Sequence, residues 1–167
     1  MLRYLKKLPD FLTDGGPGLV LANSDEGSVG NGKGLLAAVI AKAAMVYDKA
    51  VLWTDTMDLT SRFKEGGEAV SEITAASLLV IDDITRPDPN SFMKTAVDYM
   101  LRRRVGVGTP TVVTAAMPVD DLGDVFGEET VGLLRNSFVE VGVPSAGGEG
   151  ENRRRKNYEA LGLEVPE

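Results

Sequence analysis

Short apolar runs alternate along the chain with longer stretches in which apolar residues recur at helical spacing. The apolar runs predict buried strands, and the spacing of the stretches between them predicts helices. The predicted strands are 19–22, 51–53, 78–81, 111–116 and 138–143, and the predicted helices include 33–44, one or two in 58–75, 91–104, 120–125 and 128–136. Because strands alternate with helices, the pattern predicts a parallel sheet that helices cover on both faces.

A glycine-rich loop joins the first predicted strand to the first long helix. Residues 27–33 read Gly-Ser-Val-Gly-Asn-Gly-Lys, which matches the phosphate-binding loop up to its last position. Glycines allow successive backbone N–H groups to turn toward an anion, and the positive end of the helix dipole faces the same anion. The lysine would reach the β- and γ-phosphates of a bound nucleotide. The predicted nucleotide-binding residues are Gly27, Ser28, Val29, Gly30, Asn31, Gly32, Lys33 and Gly34.

The alternative interpretation of this loop is a glycine-rich turn before a helix that carries an incidental lysine. The flanking strand and helix favour the phosphate loop, because the motif needs both. Its last position nevertheless departs from the usual pattern: Ser or Thr normally stands there, and its hydroxyl holds Mg²⁺. Gly34 has no hydroxyl. The sequence therefore predicts that the phosphates are bound while one contact to the metal is missing.

Two adjacent aspartates follow the apolar run at 78–81. A buried strand that ends in acids is the form of the second nucleotide-binding motif. Asp82 is predicted to hold Mg²⁺ directly or through water, and Asp83 to orient or polarise the attacking water. The alternative is a buried strand that ends in two solvated acids. The phosphate loop upstream favours the nucleotide site.

Composition and charge narrow the remaining classes of protein. The chain has 167 residues, which suits one domain, and a formal net charge of −7. This charge argues against a generally basic nucleic-acid-binding surface but is compatible with a local basic patch. The sequence contains no cysteine and no histidine, which excludes disulfides, the commonest zinc sites, and Ser-His or Cys-His catalysis.

The remaining organisation follows from local patterns. No apolar run approaches the roughly 20 residues that cross a bilayer, and residues 1–12 lack the apolar region of a signal peptide. We therefore expect a cytoplasmic protein that does not contact membranes. The predicted parts are an amphipathic segment at 1–15 that is broken near Pro9, a core at 16–143, and a flexible basic tail with a short helix at 144–167. Arg102, Arg103 and Arg104 end a predicted helix, where they suit either the negative end of its dipole or contact with phosphate.

The order of these motifs resembles that of the AAA+ ATPases of the DnaC/IstB helicase-loader group. The resemblance covers about residues 16–155 and rests on Gly-Leu-Val-Leu, the phosphate loop, Val-Leu-Trp, Leu-Leu-Val-Ile-Asp-Asp-Ile, Thr-Pro-Thr-Val-Val-Thr and Leu-Arg-Asn-Ser-Phe-Val-Glu-Val. Two aspartates after the apolar strand, in place of Asp-Glu, are typical of the loaders. The compact chain suggests a phage-type member.

The resemblance implies a fold, a cofactor and partners. The fold is an α/β P-loop NTPase with an AAA+ core, in which a five-stranded parallel sheet of order 5-1-4-3-2 carries helices on both faces. The implied cofactors are ATP and Mg²⁺, in a site that a neighbouring subunit completes. The implied assembly is a homo-oligomeric ring or spiral that engages a replicative DNA helicase and single-stranded DNA.

Other positions depart from the pattern of the group. The polar sensor residue near the end of the fourth strand aligns with Ala116, and Thr114 is the nearest polar substitute. Arg135 is the predicted arginine that reaches the γ-phosphate of the neighbouring subunit, although a shift of two places would put Leu133 there. Arg153 aligns with a last arginine near the nucleotide, or else lies on an exposed basic helix. Since phosphoryl transfer depends on positioning and charge, we predict ATP binding with weak or absent hydrolysis.

The partner contacts are less specific in the sequence. The full-length loaders carry an N-terminal domain that grips the helicase, and here only a short amphipathic segment precedes the first strand. It either serves that role or packs back on its own domain, and its apolar residues are Tyr4, Leu5, Leu8 and Phe11. DNA contact is expected at Arg62 and Lys64, where the loaders place their DNA-binding helices, with scattered solvated charges as the alternative.

Three functions remain open from the sequence. The first is an ATP-binding helicase loader that delivers a replicative helicase to single-stranded DNA. The second is a degenerate ATPase domain that acts as a non-catalytic interaction protein, and the third is a transposition-type ATPase regulator that polymerises on DNA. Gly34 and Ala116 favour the second, whereas Lys33, Asp82 and Asp83 favour the first.

Overall fold

A computed structural model describes residues 2–24, 32–85 and 91–144. Within these residues every predicted strand is present, and the weakly periodic stretch after the second strand forms two helices. In chain order the elements are α1 (Leu2–Asp14), β1 (Gly18–Asn23), α2 (Lys33–Val46), β2 (Val51–Asp55), α3 (Thr56–Glu65), α4 (Gly67–Ala75), β3 (Leu78–Asp82), α5 (Ser91–Val107), β4 (Thr111–Ala115), α6 (Leu122–Phe126), α7 (Glu128–Ser137) and β5 (Phe138–Val143). Residues 145–167 of the predicted tail lie outside the described residues.

The strands form one parallel sheet in the order β2-β3-β4-β1-β5. This is the predicted order 5-1-4-3-2 read from the opposite side, so the predicted fold is confirmed. The central strand β1 pairs with β4 on one side, with Ala22 opposite Ala115, and with β5 on the other, with Gly18 opposite Phe138. Because the strands are parallel, their carboxyl ends meet at one edge of the sheet.

Side chains alternate between two apolar cores, one on each face of the sheet. On β3, Leu79 and Ile81 pack with residues from α3 to α7, whereas Leu78 and Val80 pack with residues from α1 and α2. Both sides of the strand are apolar because a parallel sheet is covered on both faces. In the part of the chain that the structure describes, no helix has the length and apolar character needed to cross a membrane.

The N-terminal helix differs from the prediction at Pro9. The sequence predicts a break there, but α1 continues through the proline. A proline inside a helix removes a hydrogen bond and costs about 3 kcal/mol. Burial offsets this cost, because Tyr4, Leu8 and Leu12 form one buried stripe and the Tyr4 hydroxyl donates a hydrogen bond to the Pro17 carbonyl at 2.9 Å. The amphipathic segment therefore packs back on its own domain.

One prediction of burial is also wrong, and one predicted helix face is only partly buried. The run at 51–53 is predicted as a buried strand, but β2 lies at the edge of the sheet and Trp53 is 41% exposed. The sequence predicts that Phe92, Ala96, Tyr99 and Met100 share one face of α5. Ala96 and Met100 are buried, whereas Phe92 and Tyr99 are partly exposed. Both aromatic rings instead contact Phe63 of α3, with centroids 5.7 Å and 5.3 Å away. They form a partly exposed aromatic cluster outside the core.

Arg104 is buried completely, unlike the exposed Arg102 and Arg103 that precede it. Its guanidinium donates hydrogen bonds of 2.8–3.1 Å to the carbonyls of Ile73, Thr74, Ala76 and Pro110 and to the Thr111 hydroxyl. Burial lowers the pKa of Arg104 to about 10, so the group stays charged at neutral pH. The sequence suggests that Arg104 interacts either with the negative end of its own helix or with phosphate. The structure shows that it interacts with the negative end of α4 instead.

Candidate functional site

The helix that follows the glycine-rich loop begins where the motif requires it. Gly32 is the N-cap of α2 and has a φ of 89°, in the left-handed region that favours glycine. Its carbonyl accepts the first helical hydrogen bond from the Leu36 N–H at 2.9 Å. Lys33 is the first helical residue, so its side chain starts at the positive end of the helix dipole. The predicted ligands Gly27, Ser28, Val29, Gly30 and Asn31 lie outside the described residues.

The structure brings the end of this loop next to the acidic strand. A Cβ built on Gly34 would lie 3.9 Å from both carboxylate oxygens of Asp82. This is ordinary van der Waals contact, so a serine or threonine would fit at residue 34 beside the carboxylate. The two motifs that the sequence separates by about 50 residues therefore share one site at the carboxyl edge of the sheet.

A hydroxyl from β4 orients the first aspartate. The Thr114 hydroxyl donates a hydrogen bond of 2.7 Å to Asp82 Oδ1 and accepts one of 2.7 Å from the Asp83 N–H. Thr114 is buried and adjoins Asp82 because β3 and β4 are neighbours in the sheet. The sequence singles out Thr114 as a substitute for the polar sensor. Its observed contacts are with the acidic pair.

The second aspartate has an unusual backbone conformation. Asp83 has a φ of 51°, which L-residues adopt at a cost of about 1–3 kcal/mol. Hydroxyl groups from three sides hold it there. Besides Thr114, Thr56 donates to the Asp83 carbonyl at 3.0 Å, and Thr85 donates to Asp83 Oδ1 at 2.7 Å. The Asp83 carboxylate is thus fixed in direction at the end of β3.

Lys33 lies among these charges and near a buried amide. Burial lowers the pKa of Lys33, and the nearby carboxylates of Asp83 and Asp82 act in the opposite direction. Its ammonium donates a hydrogen bond to Oδ1 of Asn23, a residue at the end of β1 that is 2% exposed. The sequence reasoning did not single out Asn23. A polar residue at the end of an otherwise apolar strand, next to a phosphate loop, is the signal that would have found it.

The donor set fits ATP with Mg²⁺, with one protein ligand fewer than the usual motif. Mg²⁺ is commonly held by one or two carboxylates, with phosphates and water completing its shell. Asp82 supplies the carboxylate, and Gly34 supplies no hydroxyl. Among the described residues no cluster of three or more acids forms a metal site made by the protein alone.

The other predicted residues lie apart from this cluster. Arg135, in the last turn of α7, is half exposed and paired with Asp120 of the same subunit. Ala116 follows β4 and has no polar side chain to offer, but its carbonyl accepts a hydrogen bond from Asn23 Nδ2 at 2.5 Å. Arg153 lies outside the described residues. The structure thus brings together Lys33, Asp82 and Asp83.

The sheet order and the position of these residues define the class of the molecule. The lysine follows the central strand, and the aspartates end a strand one place removed from it in the sheet. This is the arrangement of an α/β fold of the P-loop type, with a five-stranded parallel sheet.

Comparison with solved structures identifies proteins that share this fold. AMPPCP-bound DnaA from Aquifex aeolicus superposes with a TM-score of 0.70 at 15% identity, covering 99% of this chain and 53% of that chain. The DnaC helicase loader superposes with a TM-score of 0.69 at 22% identity, and the match covers 85% of this chain and 89% of the DnaC chain. DnaA bound to AMPPCP and single-stranded DNA superposes with a TM-score of 0.67 at 16% identity, and the match covers 99% of this chain and 53% of the DnaA chain.

These similarities establish the fold. The structural neighbours include DnaA, described in one structure as a replication initiator, and the DnaC helicase loader. The chain spans about half the length of the DnaA chains and most of the DnaC chain. No protein-family model and no curated protein matches the sequence.

Proposed function

We propose that this protein is an ATP-binding helicase loader of DNA replication, which delivers a replicative DNA helicase to single-stranded DNA. The observation that carries the proposal is the cluster of Lys33, Asp82 and Asp83 at the first turn of α2. A lysine at a helix N-terminus suits phosphate, and a carboxylate beside it suits a phosphate-bound Mg²⁺. When bound, Mg²⁺ would neutralise charge on the phosphates.

The likeness to DnaC supports a loader, because the chain matches most of that structure. The likeness to DnaA in complex with single-stranded DNA supports a nucleic-acid partner. We further propose a homo-oligomeric ring or spiral, in which Arg135 reaches the nucleotide of the neighbouring subunit. These assignments concern activity and partners, which the shared fold alone does not establish.

Hydrolysis is proposed to be weak. Phosphoryl transfer is accelerated mainly by positioned charges and by the metal. Gly34 lacks the hydroxyl that usually binds the metal, and Ala116 lacks a polar side chain at the end of β4. Nucleotide binding depends on Lys33 and on backbone amides, so it is less affected by these losses. The protein would then act as an ATP-controlled assembly factor with slow turnover.

The proposed DNA-binding surface lies around α3. Arg62 is paired with Asp58 and Glu72, at 3.0 Å and 3.2 Å, so part of its charge is already compensated. Lys64 lies over the ring of Phe92, 5.4 Å from its centroid. Cations beside aromatic rings suit the phosphates and bases of a single strand. Of the two predicted residues, Lys64 is therefore the better candidate for DNA contact.

A second candidate function is a non-catalytic interaction protein built on a degenerate ATPase domain. The absence of the residue 34 hydroxyl is the observation that favours it. In that case ATP would neither bind with useful affinity nor change the association with partners.

The test measures ATP binding and helicase association in the same variants. We expect Lys33→Ala to weaken ATP binding by about tenfold or more, since it removes the cation at the phosphate site. Lys42→Ala, which removes an exposed lysine from the same helix, is the matched control. Association with a replicative DNA helicase is then measured by co-sedimentation, with and without ATP and a single-stranded oligonucleotide.

The loader proposal requires that ATP alters helicase association in the wild type and in Lys42→Ala, but not in Lys33→Ala. Association that is indifferent to ATP and to Lys33→Ala would reject it in favour of the interaction protein. Filaments on duplex DNA, without helicase association, would favour the regulator that polymerises on DNA.

A further inference from the structure

Both backbone polar groups of Ala116 form hydrogen bonds, although its side chain is only a methyl group. The Ala116 carbonyl accepts a hydrogen bond from Asn23 Nδ2 at 2.5 Å, and the Ala116 N–H donates to the Thr85 hydroxyl at 2.9 Å. Thr85 in turn donates to Asp83, and Asn23 accepts from Lys33. A continuous series of hydrogen bonds therefore joins the lysine to the second aspartate through the main chain that follows β4.

The orientation of the Asn23 amide is determined by two independent partners. A carbonyl oxygen can only accept, so the amide NH₂ must face Ala116. An ammonium can only donate, so the amide oxygen must face Lys33. Both requirements select the same orientation of the amide. Since Asn23 is 2% exposed, water competes little for either bond.

We propose that Asn23 is a positioning residue of the nucleotide site, which sets the Lys33 ammonium from β1 and ties it to the backbone of Ala116. The proposal rests on the proposed nucleotide binding for its claim about phosphate. Asn23 then supplies, from the neighbouring strand, a polar contact that the side chain at residue 116 lacks. The sheet makes this possible because the carboxyl ends of β1 and β4 are adjacent.

The neutrality of the amide matters for this role. A carboxylate acceptor adds the attraction of two opposite charges to its hydrogen bond with an ammonium, and a neutral amide does not. A neutral amide can therefore hold the ammonium in place and still yield it to a phosphate. A carboxylate at residue 23 would join Asp82 and Asp83 as a third negative group near Lys33, and would compete with the phosphate for the ammonium.

The first measurement follows Lys33 directly, without any nucleotide. The titration of its ¹³Cε signal is recorded by NMR in the wild type and in variants, with Lys33→Ala used to assign the signal. We expect Asn23→Asp to raise the pKa of Lys33, because it adds a negative charge beside the ammonium. Asn23→Ala is expected to lower it, because it removes an acceptor that favours the charged form.

The second measurement is the dissociation constant of ATP. Asn23→Asp is expected to weaken ATP binding by about tenfold or more, since a carboxylate competes for the ammonium. Asn136→Asp makes the same change of charge at an exposed residue and is the matched control. Asn136 lies shortly before Phe138, the first residue of β5, which pairs with Gly18. It is therefore near the amino ends of the strands, whereas Asn23 is at the carboxyl end of β1. We expect it to change neither the titration nor the affinity.

An unchanged Lys33 titration in both Asn23 variants would overturn the inference, as would wild-type ATP affinity in Asn23→Asp. If Asn23→Asp does not fold, as its thermal melting would reveal, Asn23→Ala decides the matter through the opposite sign of its shift. Failure of the proposed function has a different signature: Lys33→Ala and the wild type would bind ATP equally poorly, whatever the titrations show.

Discussion

At the scale of single residues, the site depends on small polar groups that stand beside the recognised motifs. Thr114 orients Asp82, and Thr85 orients Asp83. Each hydroxyl donates to a carboxylate oxygen and so fixes its direction. The motif residues supply the charges, and residues from neighbouring strands and loops determine where those charges point.

Gly34 is the residue at which this site departs most clearly from the usual phosphate loop. The space beside it is open, because a Cβ there would only reach van der Waals contact with Asp82. The missing hydroxyl is therefore a matter of sequence and not of steric exclusion. Restoring it should require no rearrangement of the acidic strand.

We predict that Gly34→Ser raises Mg²⁺-dependent ATP turnover by about tenfold or more, because the added hydroxyl supplies a metal ligand beside Asp82. The rate of phosphate release at saturating ATP measures this, with Mg²⁺ titrated in parallel to show tighter apparent metal binding. Gly106→Ser is the matched control, since it makes the same change within a helix where a Cβ meets nothing within 4 Å. Equal turnover in Gly34→Ser and the wild type would contradict this explanation of weak hydrolysis.

At the scale of elements, Arg104 joins three of them. Arg104 lies on α5. One group of its hydrogen-bond acceptors is at the end of α4, and the other acceptors are Pro110 and Thr111 at the start of β4. Within the described part of the chain these partners are carbonyls and one hydroxyl, so the guanidinium is compensated by dipoles rather than by a carboxylate. A buried cation of this kind is stable only while every one of its donors is satisfied.

We predict that Arg104→Met lowers the free energy of unfolding by about 3 kcal/mol or more, because several buried carbonyls lose their donor at once. Arg103→Met changes the exposed arginine next to it and should stay within about 0.5 kcal/mol of the wild type. Urea denaturation followed by circular dichroism measures both. Equal stability of the two variants would show that Arg104 does not hold α4 against α5.

At the scale of the whole molecule, two apolar cores fix the sheet between two layers of helices. The polar cluster lies at the carboxyl edge, where the central strands end. Arg135 is paired with Asp120 within the subunit, outside that cluster. Both side chains are well exposed, so solvent screens the pair and it contributes little to stability. Exchanging Asp120 for another anion, such as the phosphate that the proposed assembly would present, would therefore cost Arg135 little.

We predict that Arg135→Ala abolishes the ATP-dependent increase in molecular mass that assembly of the wild type would produce. ATP affinity should stay within about twofold, because in the proposed assembly Arg135 would act on the site of the neighbour and not on its own. Light scattering with and without ATP measures the assembly. Arg102→Ala, which removes another exposed arginine paired with an aspartate, is the control. ATP-dependent assembly of Arg135→Ala at wild-type level would exclude this role.

Much of the fold could be predicted from the sequence. Each strand is a short apolar run bounded by turn residues, and periodicity alone is enough to find such runs. The resemblance to helicase loaders supplied the order of the strands, which the structure confirms. The errors occur where burial depends on neighbours. Trp53 is exposed because β2 has a partner on one side only, and α1 passes through Pro9 because a buried stripe supports it.

The sequence by itself determined where the charges of the site would come from. Gly32 permits the turn, Lys33 opens the helix, and Asp82 and Asp83 end a strand, and each of these follows from residues adjacent in the chain. The presence of the three charged residues in one place then followed from the parallel sheet, because its strand ends meet at one edge.

Only the tertiary structure decided which groups hold those charges in position. Asn23 reaches Ala116 across 93 positions of sequence, and Thr114 reaches Asp82 across 32. Arg104 becomes a buried donor for α4 in the same way. No local pattern encodes such contacts, because they arise when the sheet brings distant strand ends and helix ends together. Periodicity records how each segment folds, whereas these hydrogen bonds depend on which segments become neighbours.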